Sequence, residues 1–154
     1  MKCTGEDKMK DDMSYILQTP EECLLHARIM AGRGQPDLAA AAYKRAFHLM
    51  AADSGVNSEV ERECWAGIHA YEHAKAERLR RKNYTATRIR PMIKRWGIKQ
   101  TIERTVRRKG NSVGYRDAIS LGLKDMTFEA IVLRHPKEFS VEALAISKEV
   151  QATH

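Results

Sequence analysis

The sequence is poor in cysteine and has no long hydrophobic run. Its three cysteines, Cys3, Cys23 and Cys64, are odd in number and far apart, so neither a disulfide framework nor a paired-cysteine metal site is expected. No run of ~18 apolar residues occurs, which predicts no membrane-spanning helix. The polar N-terminus lacks the apolar stretch of a secretory signal. We therefore expect reduced thiols and a cytoplasmic protein that does not bind membranes.

The sequence also lacks the residue groupings that carry catalysis. It has no glycine-rich phosphate loop and no GxSxG motif. His69 and His73 stand four residues apart, a spacing that can place two imidazoles on one metal. No third ligand converges on them locally, and helical projection predicts that both lie on an exposed polar face. We expect no catalytic residue, no metal and no cofactor, and hence a protein that is not an enzyme.

Aromatic residues are scarce, at 6% of the chain. Proteins that bind single-stranded nucleic acid stack its bases on exposed rings. Tyr84 and Tyr115 are the only aromatic residues that the sequence leaves free for this role. The composition therefore argues against stacking on single strands.

The remaining composition is that of a folded domain. The chain has 154 residues and a mass of 17.5 kDa, with 43% hydrophobic and 31% charged residues. Helical periodicity recurs along it, and no alternating strand pattern is present. We predict an all-α compact bundle of about six or seven helices. A flexible leader over 1–17 is expected to precede one domain over 18–154, comprising a helical hairpin (18–56), long basic helices (57–109) and C-terminal helices (110–154).

Hydroxyl side chains mark the starts of several predicted helices. Thr19, followed by a proline, precedes the first helix, and Ser58 opens a long helix over about 58–82. Thr127 and Ser140 are expected to cap the last two helices. An apolar stripe with Trp65 at its edge and Tyr71 within it follows the long helix, which makes this helix a candidate for homodimerisation.

The predicted hairpin carries small residues and a tyrosine at set offsets. These residues are Ala27, Gly34, Ala39, Tyr43 and Ala46, with Phe47 following. The pattern over residues 20–53 resembles a single tetratricopeptide repeat. The resemblance implies two closely packed helices with Tyr43 between them, but not the peptide groove that several stacked repeats build. From about Arg88 to its end, the chain is similar to small helical proteins of alphaproteobacteria, which implies no activity.

The net charge of +7 is distributed very unevenly along the chain. Residues 75–116 carry fifteen basic side chains and only two acidic ones, Glu77 and Glu103, for a net charge of +13. The preceding residues carry −4 and the following residues −2. Such a block of charge attracts polyanions or acidic protein surfaces.

Residues 92–106 have the outline of a helix-turn-helix, with Gly97 at the turn and Val106 as an apolar anchor. Glu103 departs from that pattern, because an apolar residue is expected there. Basic residues of this region are the candidate contacts to nucleic acid or to an acidic partner. They are Arg80, Arg81, Lys82, Arg88, Arg90, Lys94, Arg95, Lys99, Arg104, Arg107, Arg108 and Lys109.

Three interpretations of the basic region remain open. The first is a small intracellular, non-catalytic binding protein whose basic helices contact nucleic acid phosphates. The second is a protein–protein interaction module, an adaptor or inhibitor that docks this surface on an acidic or nucleic-acid-binding partner. The third is a solvated basic face with no partner.

Overall fold

The fold is entirely helical over the residues described by the computed structural model, 17–108 and 112–153. Eight α-helices and one 3-10 helix occur there, and no strand. The all-α prediction is confirmed, and the eight α-helices exceed the predicted six or seven. The elements are α1 (Pro20–Gly32), α2 (Pro36–Ala52), α3 (Glu59–Leu79), α4 (Ile89–Trp96), α5 (Ile98–Arg107), α6 (Ser112–Ser120), the 3-10 helix (Lys124–Met126), α7 (Phe128–Arg134) and α8 (Val141–Thr153).

The predicted hydroxyl caps begin four of these helices. Thr19, Ser58, Thr127 and Ser140 each accept a hydrogen bond from the backbone N–H three residues later, at 3.1–3.2 Å. Each bond satisfies one of the N–H groups that the first turn of a helix leaves unpaired. The starts of α1, α3, α7 and α8 are thus set by contacts between residues only three positions apart in the sequence.

Helix α3 lies at the centre of the molecule, between two hydrophobic clusters. Cys64 and Ile68 face a cluster that includes residues of α4, α5, α7 and α8. Ala66 and Ala70 face a second cluster built mainly from α1 and α2. The sequence predicted only the first of these faces, because alanine adds little to a hydrophobic stripe. Small side chains nevertheless let α2 approach α3 closely.

The homodimer expected from Trp65 and Tyr71 of α3 stays a prediction. Trp65 is half-buried and packs against both clusters. Tyr71 is also half-buried, and its ring centroid lies 5.6 Å from that of Phe128 in α7. Both aromatic side chains therefore pack against other residues of the same chain and remain partly exposed.

Leu17 is the last residue of the predicted leader, next to the helical hairpin. This residue was assigned to the flexible leader, but its side chain is buried and its carbonyl accepts a hydrogen bond of 2.8 Å from Arg45 Nε. The rest of the leader, 1–16, lies outside the described residues. In the hairpin, α1 packs against α2, and Ala27 and Tyr43 are buried. The tetratricopeptide resemblance stays a prediction.

No helix within 17–108 and 112–153 is both long enough and apolar enough to cross a membrane. The two cysteines in these ranges, Cys23 and Cys64, are buried free thiols. Burial raises the pKa of the Cys64 thiol to about 12, and burial likewise raises the pKa of Cys23. Both thiols are therefore protonated at neutral pH and poor nucleophiles.

Gly67 marks the closest approach between α3 and the segment that leads into α7. A Cβ at this position would lie 2.7 Å from Ile131 Cδ1 and 3.2 Å from the carbonyl oxygen of Met126. We expect Gly67→Ala to lower the free energy of unfolding by about 1–3 kcal/mol, because overpacking outweighs the gain in helix propensity. Urea denaturation measures the effect.

Gly32 supplies the matched control, since nothing lies within 4 Å of a Cβ built there. Gly32→Ala should leave stability unchanged or raise it by up to about 1 kcal/mol. Equal effects of the two substitutions would contradict the close approach at Gly67.

Candidate nucleic-acid interface

A buried carboxylate fixes the start of the basic region onto α3. Glu72 accepts a hydrogen bond of 2.7 Å from the backbone N–H of Ala86, together with bonds of 3.1 and 2.5 Å from Nε and Nη2 of Arg90. The Glu72 side chain is 9% exposed, so its charge needs these donors. Arg90 also lies over the Trp65 ring, at 5.5 Å from the centroid. The segment between α3 and α4 is thereby held against the core.

Helices α4 and α5 meet at Gly97, whose φ of 84° favours glycine. The Thr101 hydroxyl donates to the Gly97 carbonyl at 2.7 Å, and Ile102 and Val106 are buried in the cluster beside α3. With this side of α5 in the core, Arg104 remains exposed on the outside. A single residue joins the two helices, whereas a helix-turn-helix has a turn of three or four.

Glu103, which broke the helix-turn-helix pattern, has a structural role. It is 8% exposed and accepts hydrogen bonds of 2.7 Å from the Ser140 backbone N–H and 2.9 Å from the Ser140 hydroxyl. Because Ser140 caps α8, Glu103 ties α5 to the start of the last helix. This acidic residue of the basic block is therefore turned inward.

A first cleft of about 600 Å³ lies where the segment before α4 meets α3 and α5. Its charged side chains are all basic: Lys75, Arg88 and Arg108. The Lys75 ammonium lies 4.9 Å from the Tyr84 ring centroid and donates to the Tyr71 hydroxyl at 3.4 Å. Hydrogen bonding with Tyr84 is the main cause that raises the pKa of Lys75, which is therefore a cation at neutral pH.

A second cleft, of about 730 Å³, adjoins the first and shares Thr87, Arg88, Met92 and Arg108 with it. We call the two clefts together the basic groove. Its second half is lined further by Pro91, Trp96, Arg104, Arg107 and Glu142.

Trp96 and Arg104 form the far end of the groove. The guanidinium carbon of Arg104 lies 4.1 Å from the Trp96 ring centroid, a stacking distance. Arg95 approaches the same ring at 5.0 Å. Glu142 is the one carboxylate among the described residues that line the groove, and its 2.9 Å ion pair with Arg107 neutralises it.

The structure sorts the predicted basic residues into two groups. Three make ion pairs within the chain: Arg90 with Glu72, Lys99 with Glu138 at 2.6 Å, and Arg107 with Glu103 and Glu142. The others in the described ranges form no ion pair there and have exposed side chains, and Lys109 lies outside the described residues. This second group comprises Arg80, Arg81, Lys82, Arg88, Lys94, Arg95, Arg104 and Arg108.

The aromatic residues near the site differ from those the sequence favoured. Tyr115 is 2% exposed and therefore cannot stack on a ligand. Tyr84, the other aromatic candidate from the sequence, lines the groove. Trp96 and Lys75 also line the groove, although neither was a candidate. Of these two, only Lys75 could have been found from the sequence. It follows Tyr71 by four residues, so the two side chains share one face of the helix.

The histidine pair does not lie on an exposed polar face as predicted. His73 packs against Tyr43 and Phe47 of α2, with ring centroids 4.9 and 5.5 Å away, and the His69 ring lies tilted against Trp65 at 6.2 Å. The prediction failed because α3 is covered on both sides. Burial is the main cause that lowers the pKa of both histidines. No three-ligand metal cluster occurs in the part of the chain that the structure describes.

Comparison with known proteins finds no family model, no curated protein and no solved structure that matches this chain.

Proposed function

We propose that this chain is a small, non-catalytic nucleic-acid-binding protein, and that the basic groove contacts the phosphates. The observation that carries the proposal is the position of Arg88 and Arg108. Both line the two clefts where these adjoin, both are exposed, and neither has a carboxylate partner among the described residues. Two unpaired guanidinium groups in one concavity fit the bidentate geometry of phosphate oxygens.

The neighbouring charges support the same proposal. Lys75 at one end of the groove and Arg104 at the other add positive charge. Neither acidic residue of the basic block lines the groove, and Glu103 binds Ser140 instead. Binding a polyanion here releases its condensed counterions, which favours association without any sequence-specific contact.

The proposed location is the cytoplasm. The buried free thiols of Cys23 and Cys64 fit a reducing compartment.

The experiment is a fluorescence anisotropy titration of a labelled mixed-sequence oligonucleotide at ~50 mM salt. We expect binding in the micromolar range or tighter, because phosphate contacts give non-specific dissociation constants of ~10⁻⁴–10⁻⁶ M even at physiological salt. Polyglutamate of equal charge should displace the labelled oligonucleotide less effectively than unlabelled oligonucleotide does, since its carboxylates do not reproduce the spacing and geometry of the phosphates.

Equal displacement by polyglutamate would instead favour the second interpretation, an adaptor or inhibitor that docks on an acidic protein. Absence of oligonucleotide binding at ~50 mM salt would contradict the proposal, since electrostatic contacts are strong at that ionic strength.

A further inference from the structure

We infer that the basic groove selects single-stranded nucleic acid, with phosphates at Arg88 and Arg108 and unpaired bases at Tyr84 and Trp96. This inference rests on the proposed function and specifies its ligand. It is carried by the position of the two aromatic rings, which line opposite clefts of one groove on either side of the shared arginines.

The Tyr84 end combines a ring with a cation. The half-buried Tyr84 side chain lines the first cleft, and the Lys75 ammonium lies 4.9 Å from its ring centroid. Proteins that bind single strands pair aromatic rings with backbone-tracking cations in this way, because every base has a face that can stack. A base at Tyr84 would bring its own phosphate near Lys75 or Arg88.

The Trp96 end combines a ring with a guanidinium stacked over it. Trp96 is half-buried, and the Arg104 guanidinium lies over its ring at 4.1 Å. A guanidinium plane held on an aromatic ring is itself a platform on which an unpaired base can stack. Since Arg104 is exposed and unpaired within the described residues, it remains available to a base or to a phosphate.

A duplex does not use these features. In a duplex the base faces are stacked on one another, and only the base edges are open to a protein. Rings within a concave groove reach base faces only where the strand is unpaired. The groove therefore gives a single strand two stacking contacts beyond the phosphate contacts that any polyanion receives.

The test compares three ligands of equal length, about 10 nucleotides, on the unmodified protein: an oligothymidine, an abasic strand with the same phosphates, and a duplex. We expect the oligothymidine to bind at least about tenfold more tightly than the abasic strand, because stacking adds affinity for each base. It should also bind more tightly than the duplex.

Variants then locate the contact. Tyr84→Leu and Trp96→Leu should each weaken binding of the oligothymidine more than binding of the abasic strand, and so reduce the preference between the two ligands. Tyr84→Phe and Trp96→Phe, which keep a ring, should retain the preference. Thermal denaturation of each variant confirms that it is folded.

The outcomes separate this inference from the proposed function. Equal binding of the oligothymidine and the abasic strand, or tighter binding of the duplex, would overturn the inference and leave phosphate binding intact. Binding of none of the three ligands at ~50 mM salt would overturn the proposed function itself.

Discussion

Replacing Arg88 and Arg108 together by alanine is expected to weaken nucleic acid binding about a hundredfold at ~50 mM salt. Hydrogen bonds to charged groups are each worth at least about 1.5 kcal/mol, so loss of one such contact per arginine removes about 3 kcal/mol, or roughly a hundredfold in affinity. Both side chains are exposed and make no ion pair among the described residues, so unfolding free energy should change by less than about 0.5 kcal/mol. Anisotropy titration and urea denaturation measure the two quantities.

The matched control removes the same charge elsewhere. Arg33 and Arg62 are exposed and likewise without an ion pair in the described ranges, but they lie at the end of α1 and in the first turn of α3. Their double alanine variant should weaken binding by less than about threefold, because neither residue lines the groove and salt screens the interaction between separated exposed charges. Equal losses in the two variants would show that net charge, rather than the groove, determines binding.

Glu72→Ala should lower the free energy of unfolding by about 3 kcal/mol, which is the second large effect we expect. Breaking a buried ion pair costs ~3–5 kcal/mol, and partial exposure of Arg90 places this site at the lower end. The buried Ala86 N–H also loses its acceptor. For a chain of this length the melting temperature should fall by about 6–12 °C.

A paired substitution distinguishes the lost charge pair from lost packing. In Glu72→Leu with Arg90→Met, no uncompensated charge remains, so part of the stability should return. The rest should stay lost, because the buried Ala86 N–H still lacks its acceptor. Glu72→Gln keeps an oxygen for Ala86 and should fall between the alanine variant and the unmodified protein. A loss below about 0.5 kcal/mol in Glu72→Ala would contradict the account of how the basic region is held on α3.

Helix starts and the all-α class were predictable because their signals are local. A hydroxyl such as that of Thr19, Ser58 or Thr127 acts on an N–H three residues away, so sequence alone locates the cap. The end of α3 was less predictable. The basic stretch after Leu79 is compatible with a longer helix, but Arg80 adopts a φ of 53° and terminates it.

Contacts between distant residues could not be predicted from the charge pattern. Glu72 and Arg90 are 18 residues apart, and Glu103 and Ser140 are 37 apart. Each charged residue by itself suggests an exposed position, because burial of a charge is costly unless a partner is present. Arg90 was accordingly a candidate contact to nucleic acid, whereas the structure shows it paired with a buried carboxylate.

The candidate site was predictable as a block of charge but not as a groove. Arg88, Arg104 and Arg108 were candidates from the sequence, and the structure leaves them exposed. Their grouping with Lys75 and Trp96 depends on how α3, α4 and α5 pack, which no local pattern encodes. The expectation against stacking on single strands, which rested on the scarcity of aromatic residues, stays a prediction that the comparison of oligothymidine with the abasic strand tests.

The most direct test of phosphate binding is the slope of log affinity against log salt concentration for the unmodified protein and a single-stranded oligonucleotide. Each neutralised phosphate contributes about −0.7 to this slope. Contacts at Arg88, Arg104 and Arg108 predict a slope of about −2 or steeper. A slope near zero, or no binding at ~50 mM salt, would contradict the account.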